Sequence, residues 1–216
     1  MHAAVLLVHG AFGETSVWAD VITALRREGI EAIAAANPLS GLSSDATYVA
    51  SLARAFDGPV VLAGHDYGGA VIGGVDAPNV VGLVYVAGFA LAAGETCVGQ
   101  LAPPVLAALR PGVVRGGAFE ISVASDRFRD VVDGEFALQR PVLPGALDEP
   151  AAAPLWARVP SWFVVAARDG FVGAAAQRRM AARAGSSVVE LDATHGVPRT
   201  HAAEVAAEVL LAAQRT

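Results

Sequence analysis

The sequence predicts an α/β fold: about six parallel strands in one sheet, with helices on both faces. Short β-rich runs alternate with amphipathic stretches at helical spacing, the pattern of strand–helix–strand crossovers. Hydrophobic residues make up 54% of the 216 residues and charged residues 17%, which suits one compact core. No apolar run approaches the roughly 18 residues of a membrane span.

The elements follow in order. Residues 3–8 read as a buried strand that ends at His9-Gly10. Residues 16–28 have helical spacing through Val17, Val21, Ile22 and Leu25, with Gly29 as the C-terminal cap. A second strand, 30–35, is closed by Asn37-Pro38, and Ser44-Asp45 is expected to cap a helix running to Phe56. Strands are expected at 59–63, 80–86, 161–166 and 188–191, and helices at 67–75, 174–183 and 200–213. Between the fourth and fifth strands, residues 92–159 are rich in Pro and Gly with weak hydrophobic spacing. That segment reads as a small lid with helices near 98–109 and 125–132, too short for a core of its own. The whole chain, 1–216, reads as one domain.

Charge and composition exclude several classes of partner. The formal net charge is −6, all 15 basic residues are Arg, and no run of them forms a patch. Neither nucleic acid nor an anionic membrane suits such a surface. The single cysteine, Cys97, permits no disulfide within the chain and no cysteine-based metal site. The N-terminus lacks a charged region and a small-residue cleavage site, so a soluble cytoplasmic protein is expected.

The richest segment is Gly64-His65-Asp66-Tyr67-Gly68-Gly69, where a strand ends and a helix begins. A sharp turn there holds its central residue, Asp66, in a strained conformation and needs close neighbours without side chains. Asp66 would project above the sheet at a helix N-terminus. A bare helix cap is the bland alternative. The His9-Gly10-Ala11-Phe12 turn supplies a second loop, and the amides of Ala11 and Tyr67 are the natural oxyanion-hole pair. Asp169 follows the fifth strand and His195 the sixth, at the strand ends where open α/β sheets keep their sites. Taken alone, a loop His or a loop Asp is usually a surface residue or a cap. Three such residues in the order nucleophile, acid, histidine are harder to obtain by accident.

With these motifs the chain resembles the small α/β-hydrolases related to carboxylesterases, methyl esterases and hydroxynitrile lyases. The matching stretches are 5–18, 64–69, 81–89, 160–169 and the His195 loop, nearly the whole chain outside the lid. The resemblance implies an α/β-hydrolase fold starting at the third strand of an eight-stranded sheet. It implies a catalytic triad of Asp66, Asp169 and His195, with no metal and no organic cofactor. The chain departs from these relatives at Asp66, where they carry serine. Aspartate there is typical of the epoxide-hydrolase and haloalkane-dehalogenase branches, which use cap tyrosines or a tryptophan after the nucleophile. This sequence has Tyr67 after the nucleophile and no tyrosine in 92–159.

Aspartate changes the chemistry. Carboxylate attack on an acyl carbon gives an anhydride, whereas attack on an sp³ carbon gives an alkyl ester that water can hydrolyse. The expected function is therefore hydrolysis of a small organic molecule through a covalent Asp66 ester, epoxide hydrolase-like before dehalogenase-like. Phe12 and Tyr67 are expected to line the substrate pocket, and the Tyr67 hydroxyl could donate to an epoxide oxygen or a halide. His65 is expected to be packed and hydrogen-bonded beneath the turn, and Trp18 to be core or pocket wall. Arg127 and Arg129 could meet an anionic substrate or form a solvated face. Three alternatives stand: a lyase, isomerase or cyclase in which Asp66 and His195 do acid–base work; an esterase relative with Ser replaced by Asp; and a non-catalytic binder.

Overall fold

The computed structural model describes residues 2–101, 103–113, 119–123 and 140–216. Six strands form one parallel sheet: β1 Ala4–Val8, β2 Ala32–Ala35, β3 Val60–His65, β4 Val80–Val86, β7 Ser161–Ala166 and β8 Ser187–Leu191. Their order is β2-β1-β3-β4-β7-β8, so the chain winds outward from β1 in both directions. A separate antiparallel pair, β5 Leu109–Val113 and β6 Phe119–Val123, lies between β4 and β7 in sequence. The helices are α1 Ala19–Arg27, α2 Leu42–Ala53, α3 Tyr67–Gly73, α4 Pro103–Ala108, α5 Pro144–Asp148, α6 Ala174–Ala184, α7 Val197–Thr200 and α8 Ala202–Arg215.

The two-residue period of the strands sorts their side chains into two cores. Leu6, Val8, Leu62, Tyr85 and Phe163 face α2, α3 and α6. Val5, Leu7, Val61, Val84 and Val164 face α1 and α8. Both faces are covered, which is why these strands read as continuous apolar runs. Each fully buried Val or Leu contributes about 1.5–3 kcal/mol. The described part of the 92–159 segment joins the first core through Cys97, Leu101, Val105, Val142 and Leu147.

Several expectations need correction. The 16–28 helix starts as a 3-10 turn, Thr15–Trp18, before α1. At its end Gly29, with φ 77°, donates to the Arg26 carbonyl while Ile30 donates to Leu25, closing the helix as expected. Ser44-Asp45 does not cap α2: the helix begins at Leu42 behind Gly41. Asp45 instead accepts from the Ser40 hydroxyl at 2.8 Å, inside the first turn. The expected 98–109 helix is broken into a 3-10 turn, Val98–Gln100, then α4 and the start of β5. Pro103 and Pro104 tolerate only the first turn of a helix, so no helix runs through them from upstream. The last helix is divided at His201, whose φ of −132° separates α7 from α8. The expected 125–132 helix, with Arg127 and Arg129, lies outside the described residues.

Candidate active site

Four loops at the C-terminal ends of β1, β3, β7 and β8 bring the candidate residues together. Asp66 sits between β3 and α3 with φ 50° and ψ −123°, a conformation that costs a non-glycine residue about 1–3 kcal/mol. The neighbours make this turn possible. A Cβ on Gly68 would run into the Val8 carbonyl, so α3 could not approach β1 closely enough. On the facing loop, a Cβ on Gly10 would stand 2.5 Å from the Asp66 Cβ. The Asp66 carbonyl also accepts from Gly69 and Phe89, which holds the turn from behind.

The two carboxylate oxygens of Asp66 have different surroundings. Oδ2 accepts the Ala11 amide at 2.8 Å. The Tyr67 amide, at the start of α3, also favours the charged form of this carboxylate. Oδ1 is buried, has no hydrogen-bond partner among the described residues, and lies 3.8 Å from His195 Nε2. Burial pushes the Asp66 pKa up to about 6, against the pull of His195 and the two amides.

His195 Nδ1 donates to Asp169 Oδ2 at 2.8 Å, which leaves Nε2 facing Asp66. Burial acts to lower the His195 pKa, but the charge and hydrogen bond of Asp169, with Asp66, outweigh it and raise it. Asp169 is itself saturated: its Oδ1 accepts the amides of Phe171 and Val172 at 2.6 and 3.1 Å. Burial would raise its pKa, yet the charge and hydrogen bond of His195, with the Phe171 amide, hold it low. Asp66, Asp169 and His195 are all buried.

The surrounding side chains sort into supports and walls. His65 donates from Nε2 to the His195 carbonyl at 2.9 Å, so it is packed and hydrogen-bonded as expected. Burial, then the neighbouring His195, drives its pKa down to about 3, so it is neutral. Trp18 is core, on the α1–α8 side of the sheet. Phe12 packs edge-on against Phe171 with ring centroids 6.3 Å apart, and Phe171 lies 4.7 Å from the His195 ring. The Phe12 carbonyl accepts the Arg140 amide at 3.1 Å, which ties the loop after β1 to the 92–159 segment.

Tyr67 requires correction. Its amide favours the charged form of Asp66, but its hydroxyl donates to Asp45 Oδ2 at 2.8 Å, within the core. The hydroxyl is therefore not available to an epoxide oxygen or a halide. Sequence reasoning also missed Asp45, Phe171 and Gln177. Gln177 left one signal, a lone polar residue on the inward face of α6 among Ala176, Met180 and Ala181.

Tyr67→Phe should separate the two roles of that residue. Losing the hydroxyl leaves a buried carboxylate oxygen short of a donor and should cost about 1–3 kcal/mol, read as a lower urea midpoint. Turnover should stay within a few-fold of wild type. A large loss of turnover at unchanged stability would return the hydroxyl to the chemistry.

The profile of the alpha/beta hydrolase family matches residues 5–208, and the chain belongs to that family. No curated protein matches it. Among solved structures, a pyrethroid hydrolase from Sphingobium faniae superposes with a TM-score of 0.83 at 20% identity, covering 96% of this chain and 95% of that one. An extracellular α/β-hydrolase from a Paenibacillus species gives 0.79 at 18% identity, covering 98% and 99%. A methylesterase from Arabidopsis gives 0.73 at 18%, covering 97% and 98%. At these identities the likeness concerns the fold. Among the described residues, no helix is long and apolar enough to cross a membrane.

Proposed function

We propose that this member of the alpha/beta hydrolase family hydrolyses a small, uncharged organic electrophile through an alkyl ester on Asp66, an epoxide before a haloalkane. One observation carries this reading: Asp66 Oδ2 already accepts the Ala11 amide and the Tyr67 amide pulls on the same carboxylate, while Oδ1 is buried, has no partner among the described residues and lies next to His195. With the hole filled by the nucleophile itself, a substrate carbonyl oxygen has no place there. The same hole suits the second half of a two-step displacement.

In the first step Asp66 Oδ1 attacks an sp³ carbon, and the carbon–leaving-group bond breaks with its electron pair on the leaving group. An opened epoxide oxygen must then collect a proton. With Tyr67 committed to Asp45, the imidazolium of His195 supplies that proton and becomes neutral. In the second step water attacks Cγ of Asp66 while His195 Nε2 takes its proton. Oδ2 becomes the oxyanion, held by the amides of Ala11 and Tyr67. Collapse breaks the Cγ–Oδ1 bond. The product leaves with Oδ1, takes its proton from the new carboxyl group, and the oxygen of water remains in Asp66.

The tryptophans favour epoxide over halide. Trp18 and Trp162 are buried in the core on the α1–α8 side, and the Trp156 indole donates to the Leu91 carbonyl at 3.0 Å. None follows the nucleophile. The methylesterase neighbour favours a second reading, ester substrates, which the carboxylate on the Ala11 amide opposes.

The proposal is tested with a panel of styrene oxide, 1-bromohexane and p-nitrophenyl esters, quenched during turnover and read by intact-protein mass. Alkylation needs the Asp66 carboxylate and should slow as pH falls through about 6, the position to which burial moves that group. Ester hydrolysis needs neutral His195, whose pKa Asp169 raises against burial, the charge of Asp66 being gone once it is esterified. The adduct should thus make up a larger fraction of the protein near pH 6 than near pH 8. Turnover of an epoxide or bromide with no adduct at any pH would contradict the covalent route.

A further inference from the structure

We infer that Gln177 is a positioning residue that holds Asp169 as a carboxylate acceptor for His195 and keeps the shared proton on the imidazole. The inference rests on Asp169 and His195 being the working pair of the proposed reaction.

The orientation of the amide follows from its partners. The Ala166 backbone N–H can only donate, so the Gln177 oxygen must face it, at 3.0 Å. That leaves the Gln177 nitrogen facing Asp169 Oδ2, at 2.6 Å. Gln177 therefore spans from the last residue of β7 to the carboxylate, across the 167–172 turn, from a helix whose Gly173 carbonyl accepts its own amide at 3.1 Å. It is completely buried.

The consequence is a full set of donors around Asp169. Oδ1 accepts two backbone amides, and Oδ2 accepts Gln177 and His195. A proton on this carboxyl group would have to face an N–H donor, so transfer from His195 to Asp169 is opposed. An amide achieves this without adding charge. A Lys or Arg at the same place would neutralise Asp169 and weaken its hold on the imidazolium. The Gln177 N–H also competes with His195 for Oδ2. Removing it should let the imidazolium draw more from that oxygen, and the His195 pKa should rise.

The test needs no substrate. Protein labelled with ¹⁵N-histidine is titrated by NMR, following the His195 imidazole and its downfield Nδ1–H resonance, in wild type, Gln177→Leu and Gln177→Glu. In Gln177→Leu the His195 pKa should move up and the Nδ1–H resonance should shift and exchange faster. Gln177→Glu preserves shape where the leucine variant fails to fold. Its introduced carboxyl can donate to Asp169 only while protonated. Its Nδ1–H resonance should resemble wild type at acid pH and depart from it as that carboxyl ionises. A His195 titration and Nδ1–H resonance identical to wild type in the folded variants would overturn the role of Gln177, even with lowered stability. A wild-type protein with no Asp169-bonded Nδ1–H would instead refute the Asp169–His195 pair. The absence of an Asp66 adduct in the substrate panel bears on neither result.

Discussion

His195→Gln should yield a protein that reacts once and stops. Alkylation by 1-bromohexane needs the Asp66 carboxylate but no proton at the leaving group, so the substitution should leave that step in place. Breaking the ester needs a base for water, and its loss should slow turnover by about 10²–10⁴-fold. The intact mass should rise by one hexyl group, mapped to the Asp66 peptide. With styrene oxide the corresponding hydroxyalkyl ester of Asp66 should form more slowly, because His195 also supplies the proton to the opened oxygen. A folded variant whose Asp66 peptide stays unmodified by both reagents would count for non-covalent acid–base chemistry.

Asp66→Ser should have an effect of similar size in the opposite sense. The Asp66 carboxylate now takes the Ala11 amide, and the Tyr67 amide pulls on the same carboxylate. A serine hydroxyl is shorter and leaves those donors free for a substrate oxygen, while His195 remains available as base. The variant should gain hydrolysis of p-nitrophenyl acetate at least about 10²-fold above wild type, the scale of an oxyanion hole brought into use. It should also lose all alkylation by 1-bromohexane. Folded Asp66→Ser protein inert toward a broad ester panel would mean that the pocket is shaped for another chemistry, whatever its loops resemble.

Much of the fold was legible because its signals are local. Short continuous apolar runs bounded by Gly, Pro and Asn marked all six strands of the main sheet to within a few residues. The turn at Asp66 was legible because its glycines stand at fixed offsets from the central residue. The hairpin of β5 and β6 was not, since Pro111 and Gly112 interrupt the first strand. The Tyr67 hydroxyl was misread for another reason. Its amide is placed by the turn, but its side chain is placed by Asp45, which lies 22 positions away on α2. Gln177 shows the same limit: its partners, Ala166 and Asp169, are 11 and 8 positions distant, and only the fold brings them within hydrogen-bond reach.

The most direct test of the covalent ester on Asp66 is a single turnover in H₂¹⁸O. Enzyme in excess is mixed with an epoxide or bromide that it turns over, and both the product and the Asp66 peptide are weighed. Attack of water on Cγ predicts an Asp66 peptide heavier by one ¹⁸O and a first product carrying the light oxygen that was Oδ1. An unlabelled Asp66 peptide with the heavy oxygen in the product would mean that water attacks the substrate directly, and the covalent account would be wrong.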